Sequence, residues 1–149
     1  MTEDKTFEKL SLLYQENAKV TAIFWEWRHK VMTHFLTGIG AIFVVAGWLY
    51  QQPKLGRFLS VPFLFGVVIS TVSLILDWRN GEILRKCYSV GKEIELELRK
   101  EKGAIFEMFA DYGKRNTYTK TLRATYISVG IIFLLLSILT LVFSGNLSA

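Results

Sequence analysis

The chain has 149 residues, of which 51% are hydrophobic, 14% aromatic and 21% charged, with 18 Lys and Arg against 13 Asp and Glu. The charges are segregated: none falls within Val31 to Gln51, Phe58 to Leu76 or Ala124 to Phe143, while residues 77 to 123 hold 11 Lys or Arg and 8 Asp or Glu. Uncharged stretches of about 20 residues exclude an ordinary water-soluble domain and match helices that cross hydrocarbon.

Lys and Arg number 5 before the first stretch, 2 between the first and second (Lys54, Arg57), 11 between the second and third, and none afterwards. Positive charge stays on the cytoplasmic side of a membrane, so the N-terminus and residues 77 to 121 are expected there, with the C-terminus outside. The same bias accounts for the net charge of +5, so no nucleic-acid partner is expected. The first stretch follows a long charged lead and is flanked by Trp25, Trp27, Trp48 and Tyr50, which does not resemble a cleavable signal peptide. Lone Cys87 is expected to be reduced and to serve as a small core residue.

Residues 1 to 30 carry Leu10, Leu13, Asn17, Val20, Phe24, Trp27 and Val31 at alternating spacings of 3 and 4, the seam of an amphipathic helix continuing into the span at 31–51. Asn17 is the polar member of that seam. It either fixes register between helices or faces water. Gln52 to Arg57 contains Pro53 and Gly56, a turn that folds the spans at 31–51 and 58–76 into an antiparallel hairpin. From residue 77 a second seam runs through Leu84, Cys87, Gly91, Ile94, Leu98, Glu101, Ile105 and Met108, predicting a helix over 77–110. The alternation over Glu93 to Arg99 also fits a short strand, but Lys, Glu and Leu favour helix, and Glu95 with Arg99 makes a favourable i,i+4 pair. Asp111 to Thr119 reads as a turn leading to a third span at 122–144. The fold class is therefore all-α and integral to the membrane. It has three transmembrane helices and a cytoplasmic stalk made by the N-terminal helix and the 77–110 helix, in a single membrane domain.

No phosphate-binding loop, metal-spaced His and Cys set or nucleophile elbow is present, so no catalytic residue, metal or cofactor is expected. The spacings instead point to helix association, which in lipid relies on small side chains. Thr33, Thr37, Gly40 and Gly47 form one stripe, Gly66, Ser70, Ser73 and Asp77 a second, and Gly130, Ser137 and Ser144 a third. Each serves packing within the protomer, or self-association in which Ser70, Ser73, Thr37 and Gly40 line an aqueous path. Asn17, Phe24, Trp27, Gly47, Gly66, Gly130 and Ser137 are the candidate packing residues. His34, just inside the first span, is either a proton-sensitive group or hydrogen-bonded to a neighbouring helix. Asp77, Arg79 and Asn80 form a polar cluster where the second span ends, with Arg79, Arg28 or Lys30 as partners for Asp77.

The order Phe24-Trp25-Glu26-Trp27-Arg28-His29-Lys30, a two-span hairpin, Leu76-Asp77-Trp78-Arg79-Asn80 and a long charged helix resembles the SLATT-type membrane proteins of bacterial conflict systems over roughly residues 20 to 110. That family's simplest form has two spans, so the third is a departure. The resemblance implies an inner-membrane, homo-oligomeric, pore-forming effector of an abortive-infection-like defence system. Its implied partners are the lipid bilayer, further copies of itself, and a cytoplasmic regulatory protein or small ligand. A non-conducting membrane scaffold that recruits a cytoplasmic partner is the alternative.

Overall fold

The computed structural model describes residues 2–52, 55, 58–99, 105–106, 109 and 117–146, with side chains described for 5–52, 55, 58–98, 105–106, 109 and 118–143. Three long helices make up the fold: α1 (Thr2–Tyr50), α2 (Ser60–Arg99) and α3 (Thr117–Asn146). All three are long and apolar enough to cross a membrane. Ile105, Phe106 and Phe109 are helical as well.

Helix α1 is continuous through the charged lead and the first apolar stretch, as the unbroken seam predicts. It tightens at its end, where the Gln51 amide bonds the Gly47 and Trp48 carbonyls at 3.4 and 3.2 Å. Two further i→i+3 bonds, Leu55 to Gln52 and Phe58 to Leu55, carry the chain round the turn. Pro62 stands in the first turn of α2, where a missing N–H costs no intrahelical bond. The helix then continues to Arg99, so Glu93 to Arg99 is helical and the strand alternative is excluded. Helix α3 begins at Thr117, so Thr117 to Thr119, expected to belong to the turn, are helical. Pro53, Gly56, Glu101, Gly103, Met108, Asp111, Gly113 and Asn116 lie outside the described residues.

The chain divides into two compact units. Unit 1 is formed by residues 1–29 and 78–119, and unit 2 by residues 30–77 and 120–149. Unit 2 holds the apolar parts of all three helices. Its core has one cluster of Ile42, Ala46, Phe63 and Phe133 and another of Phe35, Leu122 and Tyr126. Gly38 brings α1 close to α2, with a Cβ position there 3.3 Å from Ile69. Unit 1 centres on Leu84, Tyr88 and Phe106, against which Tyr14, Ala18 and Phe24 pack.

Candidate functional site

In unit 2, the stripes on α2 and α3 face each other. Phe133 lies against Gly66, where an added Cβ would meet three ring carbons at 2.5, 2.6 and 2.8 Å. Phe43 and Phe63 hold that ring from two sides, with centroids at 5.8 and 6.2 Å. One turn further on, a Cβ at Gly130 would stand 3.3 Å from Ser70 Cβ. The Ser70 hydroxyl donates to the Gly66 carbonyl at 2.8 Å, which satisfies it without a water. Ser73 and Ser137 are buried too. Gly66, Ser70, Gly130 and Phe133 thus allow α2 and α3 to pack closely, as expected where packing drives association.

Asp77 closes this interface at the end of the second apolar stretch. It is 0% exposed, and its Oδ2 accepts from Arg123 Nε at 3.2 Å. A buried carboxylate requires such a partner. Arg123 on α3 supplies it, a residue outside the partners expected from the sequence, Arg79, Arg28 and Lys30. The signal was available: Arg123 immediately precedes the apolar run of α3, and the return of that helix brings its first residues level with Asp77. Arg79 is exposed and Asn80 half-buried.

The stripe on α1 is disposed differently. Val31, Phe35, Ile42 and Ala46 are buried, whereas Thr33, Thr37, Gly40, Val44 and Gly47 lie on the opposite side of the helix at 100° per residue and are exposed. Nothing comes within 4 Å of a Cβ placed at Gly40 or Gly47. The Thr37 hydroxyl donates to the Thr33 carbonyl at 2.9 Å. His34 is exposed beside this stripe.

Unit 1 is organised by polar contacts on α1 and α2. Asn17 Nδ2 donates to the Cys87 carbonyl at 3.0 Å, so its side chain faces α2 rather than water. Phe24 is half-buried, while Trp27 is exposed. Glu95, expected to pair with Arg99 along the helix, is buried. Its two carboxylate oxygens accept from the Phe106 amide at 3.0 and 2.9 Å, and one also accepts from the Tyr14 hydroxyl at 3.1 Å. The Phe106 ring occupies the space over Gly91 and meets Tyr14 edge-on at 5.4 Å. Nearby, Trp25 Nε1 donates to the Tyr88 hydroxyl at 2.7 Å, and the buried Arg28 guanidinium lies 5.9 Å from the Trp25 ring and 5.4 Å from that of Tyr118. Burial raises the Tyr88 hydroxyl above its ordinary value, with the Trp25 bond and Arg28 opposing the shift. No group of three or more His, Cys, Asp or Glu suited to a metal occurs among the described residues.

No family model, curated protein or solved structure matches the chain.

Proposed function

We propose that the chain is a membrane-embedded protein that self-associates through the outward stripe of α1 and opens an ion-permeable path along it. The observation that carries this reading is the exposed stripe of Thr33, Thr37, Gly40 and Gly47 on α1, with open space over both glycines. Helices in lipid associate where small residues let backbones approach, and the other two stripes are taken up inside the protomer. Copies meeting through α1 would bring threonine hydroxyls and glycine backbone to a common axis, the type of lining a narrow pore uses. The SLATT-like layout makes depolarisation in a bacterial defence response the fitting outcome, with unit 1 on the cytoplasmic side as the controlling part. Ser70 and Ser73 then serve packing between α2 and α3.

The test is conductance of the purified chain in planar bilayers. Thr37→Leu and Gly40→Leu are expected to abolish current, whereas Val68→Leu, on the exposed face of α2, leaves it unchanged. Absence of current from the wild-type chain would sink the reading. The burial of Ser70 and Ser73 favours a second one, the non-conducting scaffold, which predicts stable oligomers with no current at any voltage.

A further inference from the structure

Unit 1 is closed by a contact among three parts of the chain: Tyr14 from α1, Gly91 and Glu95 from α2, and Phe106 from beyond α2. One Glu95 oxygen, Oε1, accepts from both the Tyr14 hydroxyl at 3.1 Å and the Phe106 amide at 3.0 Å, so a single carboxylate ties the other two parts to α2. The Phe106 ring fills the slot that Gly91 leaves, where an added Cβ would meet its Cγ at 2.4 Å and Asn17 Nδ2 at 2.8 Å. We infer that Glu95 and Phe106 form a latch that opens on its own: Phe106 leaves the slot and frees the N-terminal part of α1 from α2 while both helices stay folded.

Two features make this contact separable from the helices it joins. Its anchorage is narrow: Phe106 is 5% exposed, whereas Ile105 and Phe109 are 60% and 46% exposed, and Phe109 stacks on Tyr88 from the open side. A stretch anchored mainly by one ring and one amide opens at a lower free energy than a helix packed along its length. The slot is also partly polar, so water can enter it once the ring is withdrawn and reach the Glu95 carboxylate, the Tyr14 hydroxyl and the Asn17 amide. Burying a carboxylate is costly, and its hydration offsets part of what the lost bonds and ring contacts contributed. The slot itself runs against helix propensity, because alanine at 91 would favour α2 but exclude the ring. Tyr14 belongs to a helix that is unbroken from Thr2 to Tyr50 and bears the stripe of Thr33, Thr37, Gly40 and Gly47. A closed latch fixes α1 to α2 of its own protomer, and an open one leaves α1 free to turn toward a neighbouring copy, so opening is the step that raises the current. That consequence rests on the proposed function, whereas the latch rests on the contacts of unit 1 alone.

The experiment is native-state hydrogen exchange of the purified full chain in mixed detergent micelles, read at single amides, together with thiol labelling of Cys87, the lone cysteine. Cys87 is buried one turn before Gly91, and its carbonyl holds Asn17 of α1, so its thiol reports whether α1 leaves α2. In the wild type the Phe106 amide is expected to be at least tenfold less protected than the Leu84 and Tyr88 amides of α2. Phe106→Ala and Glu95→Ala are each expected to speed Cys87 labelling at least tenfold while Leu84 and Tyr88 stay protected. Equal protection of Phe106, Leu84 and Tyr88 in the wild type overturns the latch. So does Cys87 labelling that neither variant changes, or faster labelling accompanied by loss of protection at Leu84 and Tyr88, since the contact would then open only with α2 itself. In planar bilayers Phe106→Ala is expected to raise the current at least threefold. A wild-type current from the unlatched chain overturns the control of the path by the latch and leaves the pore standing, whereas no current from either chain defeats the pore and leaves the latch decided by exchange and labelling.

Discussion

Replacing Gly66 with Ala adds one methyl group at the closest approach of two helices, and the structure sets the size of the effect. The new Cβ would stand 2.5 Å from a Phe133 ring carbon, whereas apolar carbons rest about 3.5–4.0 Å apart, so the ring must retreat by about 1 Å. Phe43 and Phe63 flank it and Ile42 and Ala46 share its cluster, which leaves little free travel. Overpacking of this kind costs about 1–3 kcal/mol, and the gain in helix propensity from Gly to Ala returns up to about 1 kcal/mol. Gly40→Ala makes the same chemical change in open space and retains only the propensity gain. Unfolding both variants in mixed detergent micelles, at dilutions where the chain is monomeric, should therefore separate them by about 1–3 kcal/mol, with Gly66→Ala the less stable. Adding Phe133→Leu to Gly66→Ala should recover part of the loss in a double-mutant cycle. Equal stabilities for Gly66→Ala and Gly40→Ala would refute the close packing of α2 on α3.

In unit 1, Gly91→Ala drives a methyl into the Phe106 ring and toward Asn17 Nδ2, and hydrogen exchange should show amides around Leu84 to Glu95 losing protection by about 1–3 kcal/mol. Asp77→Asn leaves the Arg123 guanidinium without its carboxylate. Because Arg123 is 25% exposed, the expected cost by micelle unfolding is about 1–3 kcal/mol, less than for a fully buried pair, and Asp77→Leu with Arg123→Leu should recover most of it. The raised Tyr88 hydroxyl contributes stability that is fully present below the unfolded tyrosine value near 10 and is lost as pH rises through the higher folded value. Stability of the wild type should thus fall more steeply than that of Tyr88→Phe in alkaline titration; parallel curves would contradict the burial of that hydroxyl.

Much of the fold was legible because two simple signals carry it. Uncharged runs of helical length mark the apolar parts of α1, α2 and α3, and the absence of proline between Leu76 and Arg99 lets α2 run without a break. The close contacts were harder to read. Gly66 and Gly130 stand out as small residues, but nothing local says that Phe133 fills the first gap and Ser70 meets the second. Those pairings depend on the depth at which α3 returns. The burial of Glu95 was hard to read for a related reason. Three glutamates alternate with apolar residues at 93, 95 and 97, and only the position of Phe106, eleven residues on, selects the middle one for burial.

The 3/4 seam on α1 shows the limit most directly. A run such as Leu10, Leu13, Asn17, Val20, Phe24, Trp27 and Val31 satisfies a helix packed on one partner across a broad face, and it equally satisfies a helix held between two partners, each taking one seven-residue series. Spacing alone does not separate these cases. Burial does: unit 1 covers Asn17 and Phe24 and leaves Val20 and Trp27 open. The same division continues higher on α1, where Phe35 and Ile42 turn inward while Thr37 and Val44 do not. Outward small residues in the span and outward apolar residues in the lead both leave a face on which another helix can pack, so the outward face of α1 is where self-association is to be sought.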